Sequence, residues 1–133
     1  MKIMKADSRP TRAAPASYFT GAVWQNPILD EPERVRAVSV TFTPGARTAW
    51  HTHPLGQTLF VVSGVGRVQL AGGPVQIIRP GDTVWIAPDE RHWHGAAPDC
   101  AMTHIAIQEQ KNGESVVWQE HVSDADYLAA PEQ

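Results

Sequence analysis

An all-β domain is the fold predicted for this chain of 133 residues, and three observations predict it. Apolar and polar residues alternate with a period of two over short segments along most of the chain, the pattern of half-buried strands. Eleven prolines and ten glycines fall between those segments, where they stop any run long enough for a helical bundle. Turn residues recur roughly every 7–12 positions, which is the rhythm of an antiparallel sandwich or barrel.

The elements follow in order. Residues 1–17 are polar, rich in Ala and Pro and aperiodic, so an N-terminal arm is expected there. Residues 18–24 read as a first strand, and 27–32 as an irregular connection bounded by Pro27 and Pro32. Residues 34–43 put Val38, Val40 and Phe42 on one face, and Pro44-Gly45 turns the chain. Residues 57–63 are rich in β-branched side chains; Gly64 and Gly66 interrupt them before 67–70. Gly72-Gly73-Pro74 leads into 75–78, and Pro80-Gly81-Asp82 into 83–86. Residues 101–108 alternate again, and Asn112-Gly113 predicts a tight hairpin turn into 115–118. Only the C-terminal part suggests a helix, with Ser123 as N-cap and Asp124 and Asp126 in the first turn. One domain is expected, a barrel over 18–129 that ends in this short helical turn.

Composition removes several function classes. Hydrophobic residues make up 42% and charged ones 19%, too apolar for a disordered chain. Net charge is −3 with pI near 6.0 and no basic cluster, so nucleic acid is not an expected partner. No apolar run approaches a membrane span, and residues 1–12 lack the apolar core of a secretory signal. Cys100 is the single cysteine, which fits a reducing compartment, and a cytoplasmic location is expected. It follows Pro98-Asp99 in a turn without a basic neighbour to activate it as a nucleophile. Gly64-Val65-Gly66 lacks the following helix of a phosphate loop.

The chemistry lies in the histidines. Five of six sit in His51-Thr52-His53, His92-Trp93-His94 and His104, while His121 is expected in solvent. On a strand, residues two apart share a face, so each His-x-His pair can aim both imidazoles one way. Two such pairs facing one interior would gather the nitrogens that Zn, Mn, Fe, Cu or Ni require. Neither Asp nor Glu stands within three residues of His51 or His53, whereas Gln57 follows His53 by four. Trp50 and Trp93 flank the pairs and are expected to wall the site.

These residues resemble the cupin superfamily, small antiparallel barrels of the double-stranded β-helix or jelly-roll type with two histidine motifs. The first motif is matched by Gly45, His51, His53, Gln57 and Gly64, with glutamine where the family usually carries glutamate. The second is looser: Gly81, Pro88 and His92 are recognisable, one extra residue precedes Pro88, Glu90 stands for a glycine and Ala96 for an asparagine. The stretches 44–59, 92–98 and 101–104 are similar to bacterial manganese-dependent cupin hydroxynitrile lyases. That resemblance implies Mn(II) held by His51, His53, Gln57 and His92, with His94 and His104 lining the active site. It implies reversible cleavage of an aromatic, mandelonitrile-like cyanohydrin to an aldehyde and hydrogen cyanide.

On this reading His94 is the expected base and His104 its partner toward cyanide, with the exchange of these two roles left open, and Thr48 is a hydrogen-bonding group for the substrate. Val38, Val40 and Gln108, in phase with Phe42 and His104, are expected to shape the pocket. Fe(II), Zn(II) and Ni(II) remain alternative ions, since the ligand types suit several. The small-molecule substrate is the expected partner, with a homodimer or homotetramer as the assembly. Two other classes stay open: an oxygen-activating cupin dioxygenase, and a cupin that binds metal or ligand without turnover.

Overall fold

The computed structural model describes residues 1–29 and 34–132, and the end of the irregular stretch expected at 27–32 lies outside the described residues. Six strands make the first sheet, in the spatial order β1 (Arg12–Ala13), β3 (Val23–Leu29), β4 (Val35–Phe42), β12 (Met102–Glu109), β7 (Gln57–Gly64) and β10 (Thr83–Ile86). The second runs β13 (Val117–Trp118), β6 (His51–Thr52), β11 (His92–Ala96), β5 (Arg47–Thr48) and β2 (Phe19–Thr20). On it, β8 (Gly66–Leu70) pairs with both β11 and β9 (Val75–Ile78). The recorded pairings are antiparallel, and the inner faces of the two sheets enclose one core of Phe19, Val23, Val40, Phe42, Val61 and Met102. The exposed surface of 7292 Å² is near the roughly 6,900 Å² that mass scaling gives for a monomeric domain.

Alternation explains which side chains reach the interior. On β12, Met102, His104 and Ala106 are buried while Ile107 is 40% exposed, so His104 shares the core-facing phase. Ile105 and Ile107, one residue out of phase with His104, belong to the outer face. A register shift at Thr103/His104 marks a bulge beside that histidine.

Several expected elements change. The first strand splits in two because Gly21 takes a left-handed φ of 79° between β2 and β3. Pro27 is inside β3, where the register against β4 shifts between Pro27 and Leu29, as a missing N–H demands. Within the expected arm, Arg12 and Ala13 pair with Gln25 and Trp24 on the edge of the first sheet. Asn112 and Gly113 both take positive φ, so the predicted tight turn forms. Beyond its single Lys111–Glu114 bridge, however, the chain leaves its hairpin partner and β13 pairs with β6.

The outer side of β11 is covered by the C-terminal segment. Ser123 caps helix α1 (Asp124–Tyr127), its Oγ accepting the Asp126 N–H at 3.1 Å. Tyr127 donates its hydroxyl to the Ala96 carbonyl, and Arg47 donates to the Val122 carbonyl at 2.8 Å. Trp50 and Trp93 pack here with Val75, Val122 and Tyr127. They do not wall the histidine site, because each is adjacent in sequence to an inward histidine and so faces the opposite side. Gly95 is needed for closeness: a Cβ there would lie 2.4 Å from the Ala46 carbonyl oxygen. The left-handed residue in the turn before β11 is Asp89 (φ 64°), three before His92, so Asp89 rather than Glu90 takes the place of the motif glycine.

Candidate metal centre and active site

Strand register assembles the histidines. His51 and His92 are direct partners across β6 and β11, with ring centroids 4.2 Å apart. His53 follows two residues later, and the ligand-capable nitrogens of all three lie within 4.8 Å of one another. Each ring is held by a backbone carbonyl at Nδ1: Ala49 for His51 at 2.8 Å, Ser115 for His53 at 2.6 Å and Glu90 for His92 at 2.9 Å. A carbonyl only accepts, so each Nδ1 carries the hydrogen and each Nε2 presents a bare lone pair.

Gln57 opens β7 opposite Gln108 of β12. Its Nε2 donates to Gln108 Oε1 at 3.1 Å, which leaves the Gln57 Oε1 buried and, among the described residues, without a partner. The Nε2 atoms of His53 and His92 are likewise buried and unpartnered. Buried acceptors with nothing to accept are costly, and three imidazole nitrogens with one amide oxygen are a donor set for a divalent cation. Burial also keeps the rings neutral. It pushes His92 down to about 4, helped by the charge of His53 and opposed by the Glu90 carbonyl. His51 is held well below its ordinary value by burial and then by His92 and His53. Burial lowers His53 too, against the raising effect of the Ser115 carbonyl and of Gln57.

His94 and His104 form a second pair in the same interior. His104 Nε2 and His94 Nδ1 are 2.9 Å apart, and the remaining ring nitrogens have no hydrogen-bond partner among the described residues. Burial lowers His104 to about 4, and lowers His94 well below its ordinary value, with the His104 charge next in importance. Phe42 lies against both rings, edge-on to His94 at 5.9 Å and tilted to His104 at 5.3 Å. Thr48 Oγ1 accepts the backbone N–H of His94 at 3.2 Å.

A cavity of about 70 Å³ joins these groups, room for a compact reacting centre rather than an extended polymer. Thr48, His51, His53, Gln57, His94 and His104 line it together with Val38, Val40 and Gln108. His92 completes the three-histidine cluster from the side of the second sheet. His121 is exposed and is not among the residues that line the cavity. Sequence reasoning missed Phe19, Gln25, Ala106, Val116 and Trp118, which also line the cavity. Ala106 was findable, being in phase with His104. Val116 and Trp118 were hidden by the partner change of β13, which lays Trp118 over His51 at 4.7 Å and against Tyr18 at 4.8 Å.

Comparison with known proteins places this architecture. The profile of the Cupin_2 family, described as a cupin domain, matches residues 38–107, a span that holds both His-x-His pairs, Gln57 and His104.

The chain is a cupin.

An (R)-mandelonitrile lyase of Granulicella tundricola is 54% identical over 129 residues, covering 96% of this cupin and 98% of that protein. A cupin-like protein from Thermotoga maritima has a solved structure that superposes with a TM-score of 0.83 at 39% identity, over 86% of this chain and 89% of that one. The polyketide cyclase RemF of Streptomyces resistomycificus shares the fold alone, with a TM-score of 0.77 at 16% identity over 96% and 90% of the two chains. No helix among the described residues of this cupin is long and apolar enough to cross a membrane.

Proposed function

We propose that this cupin is a metal-dependent hydroxynitrile lyase that reversibly cleaves an aromatic, mandelonitrile-like cyanohydrin. The observation that carries the reading is its 54% identity, over nearly the whole of both chains, to the (R)-mandelonitrile lyase. We assign the metal to His51, His53, His92 and Gln57, with Mn(II) as the ion. The bare Nε2 lone pairs and the buried Gln57 oxygen support that assignment.

A cation bound there supplies Lewis acidity toward the substrate oxygen. The protein's own groups do the rest. Thr48 Oγ1, already accepting from the His94 backbone, has its hydroxyl hydrogen to donate to the substrate. The neutral His94–His104 pair takes the substrate hydroxyl proton, with His94 as base. As the carbonyl forms, the electron pair of the C–CN bond leaves with cyanide. The proton held by the pair then passes to cyanide through His104, so aldehyde and hydrogen cyanide are the only products. Val38, Val40 and Gln108, with Phe19 and Trp118, pack around the substrate's ring. A homodimer or homotetramer is the assembly we assign. It is supported by an uncharged outer stripe of Phe60, Val62, Trp85 and Ile107, each 40% exposed or more, and light scattering tests it.

The deciding experiment is mandelonitrile cleavage at mildly acidic pH, where spontaneous breakdown is slow. Mn(II)-loaded, chelated and His94→Ala proteins are compared. Benzaldehyde release that needs both the metal and His94 supports the reading; a fully loaded protein without turnover overturns it for aromatic cyanohydrins.

A further inference from the structure

Gln57 poses a problem that a carboxylate would not. The two ends of its amide are nearly the same size, but only the oxygen can meet a cation, while the NH2 would repel it. Something must choose between them. Gln57 is 4% exposed, and among the described residues the hydrogen bond recorded for its Nε2 runs to Gln108 Oε1 at 3.1 Å. The two residues are direct cross-strand partners on the inner face of β7 and β12, so register holds them together. The Gln57 oxygen is thereby left buried and, among the described residues, unpartnered, on the cavity that Gln57 lines together with His51 and His53.

We infer that Gln108 is a positioning residue for metal binding: by accepting from the Gln57 NH2, it holds the Gln57 oxygen toward the three-histidine cluster. This gives Gln108 a role beyond that of a pocket wall. The inference rests on the metal-centre part of the proposed function and not on its lyase chemistry. It also explains how a cupin with glutamine at this position fixes the direction of its amide, a need that exists only when glutamate is absent.

The test is a set of Mn(II) dissociation constants, measured by competition with a chromogenic chelator, with the melting temperature of each metal-free protein as control. Gln108→Leu removes the acceptor and weakens Mn(II) binding roughly 10–100-fold, the usual effect of removing an outer partner of a metal ligand. Gln108→Glu keeps an acceptor and restores binding to about the wild-type level. In a Gln57→Glu background either oxygen can face the metal, so Gln108→Leu changes binding less than about threefold. Wild-type affinity in Gln108→Leu would overturn the inference alone, as would equal losses in both backgrounds, which mark a packing effect. Wild type that fails to bind Mn(II) would overturn the metal centre and the inference with it. Loss of lyase activity without this affinity pattern changing would sink only the proposed reaction.

Discussion

His104 Nε2 stands 2.9 Å from His94 Nδ1, with both rings buried and their other nitrogens without a hydrogen-bond partner among the described residues. One hydrogen lies between the two inner nitrogens. The neutral pair therefore presents one bare nitrogen and one N–H at its ends, a base and an acid coupled through the shared hydrogen bond.

Groups that act as a unit lose their function together. On the proposed function, His94→Ala and His104→Ala each lower kcat by roughly 10²–10⁴-fold, the range of a lost general acid–base. The double variant is no worse than the poorer single one. Turnover of cyanohydrin by the three proteins at equal Mn(II) content checks this; losses that multiply would mean that the two histidines act independently.

The cavity was partly legible because it is built on strands whose period is visible. Val38, Val40 and Phe42 on β4, and His104 and Gln108 on β12, alternate strictly, so the shared face of five residues follows from two spacings. Partner choice was not legible. Ser115–Trp118 reads locally as the second arm of an Asn-Gly hairpin, and contacts with residues distant in sequence, His51 and Tyr18 among them, draw it to β6. Trp50 and Trp93 were misplaced because both faces of β11 are buried, one by the barrel interior and one by α1, so apolar character does not report which side a tryptophan takes. Asp89 was hard to see because Pro88 stands one residue nearer His92 than the motif's proline does; its side chain tolerates the left-handed turn usually given to glycine.

Acid sensitivity follows from the buried rings. His92 and His104 titrate near 4 in the folded, metal-free protein, against 6.5 when unfolded. Between those values the unfolded chain binds more protons, so the stability of the fold rises with pH across that window. The contribution is present above pH 6.5 and is lost as pH falls toward 4. Melting temperature of metal-free protein should therefore drop most steeply from pH 6.5 to 4. Excess Mn(II) at neutral pH should raise it, by binding the folded state alone. A flat profile from pH 7 to 4.5 would contradict neutral burial of these rings.

Two glycines separate strain from closeness. Gly45 has a left-handed φ of 83° and open space around its missing Cβ, so Gly45→Ala should cost only the backbone penalty of about 1–2 kcal/mol and leave turnover intact. A Cβ added at Gly95 would lie only 2.4 and 2.6 Å from the Ala46 carbonyl oxygen and Arg47 Cα. Gly95→Ala must push β5 from β11, costing roughly 1–3 kcal/mol and displacing Thr48 from His94. Thermal melts combined with kcat distinguish them: both variants lose stability, but only Gly95→Ala loses activity at a temperature where each is folded.

Thr48 is the sharpest test of how the site meets its substrate. It is 1% exposed, lines the cavity and accepts the His94 N–H, so its hydroxyl serves the scaffold with a lone pair and, on the proposed function, the substrate with a hydrogen. Thr48→Ser keeps both functions and should retain kcat/KM within about threefold. Thr48→Val keeps the shape but removes both, leaving a buried N–H unsatisfied at a cost of about 1–3 kcal/mol. It should also lose the transition-state hydrogen bond, lowering kcat/KM by roughly 10–100-fold with Mn(II) affinity unchanged, because the hydroxyl holds no metal ligand. If Thr48→Val is less stable yet fully active, the hydroxyl serves only the backbone of β11, and the substrate's hydrogen bond must come from elsewhere in the cavity.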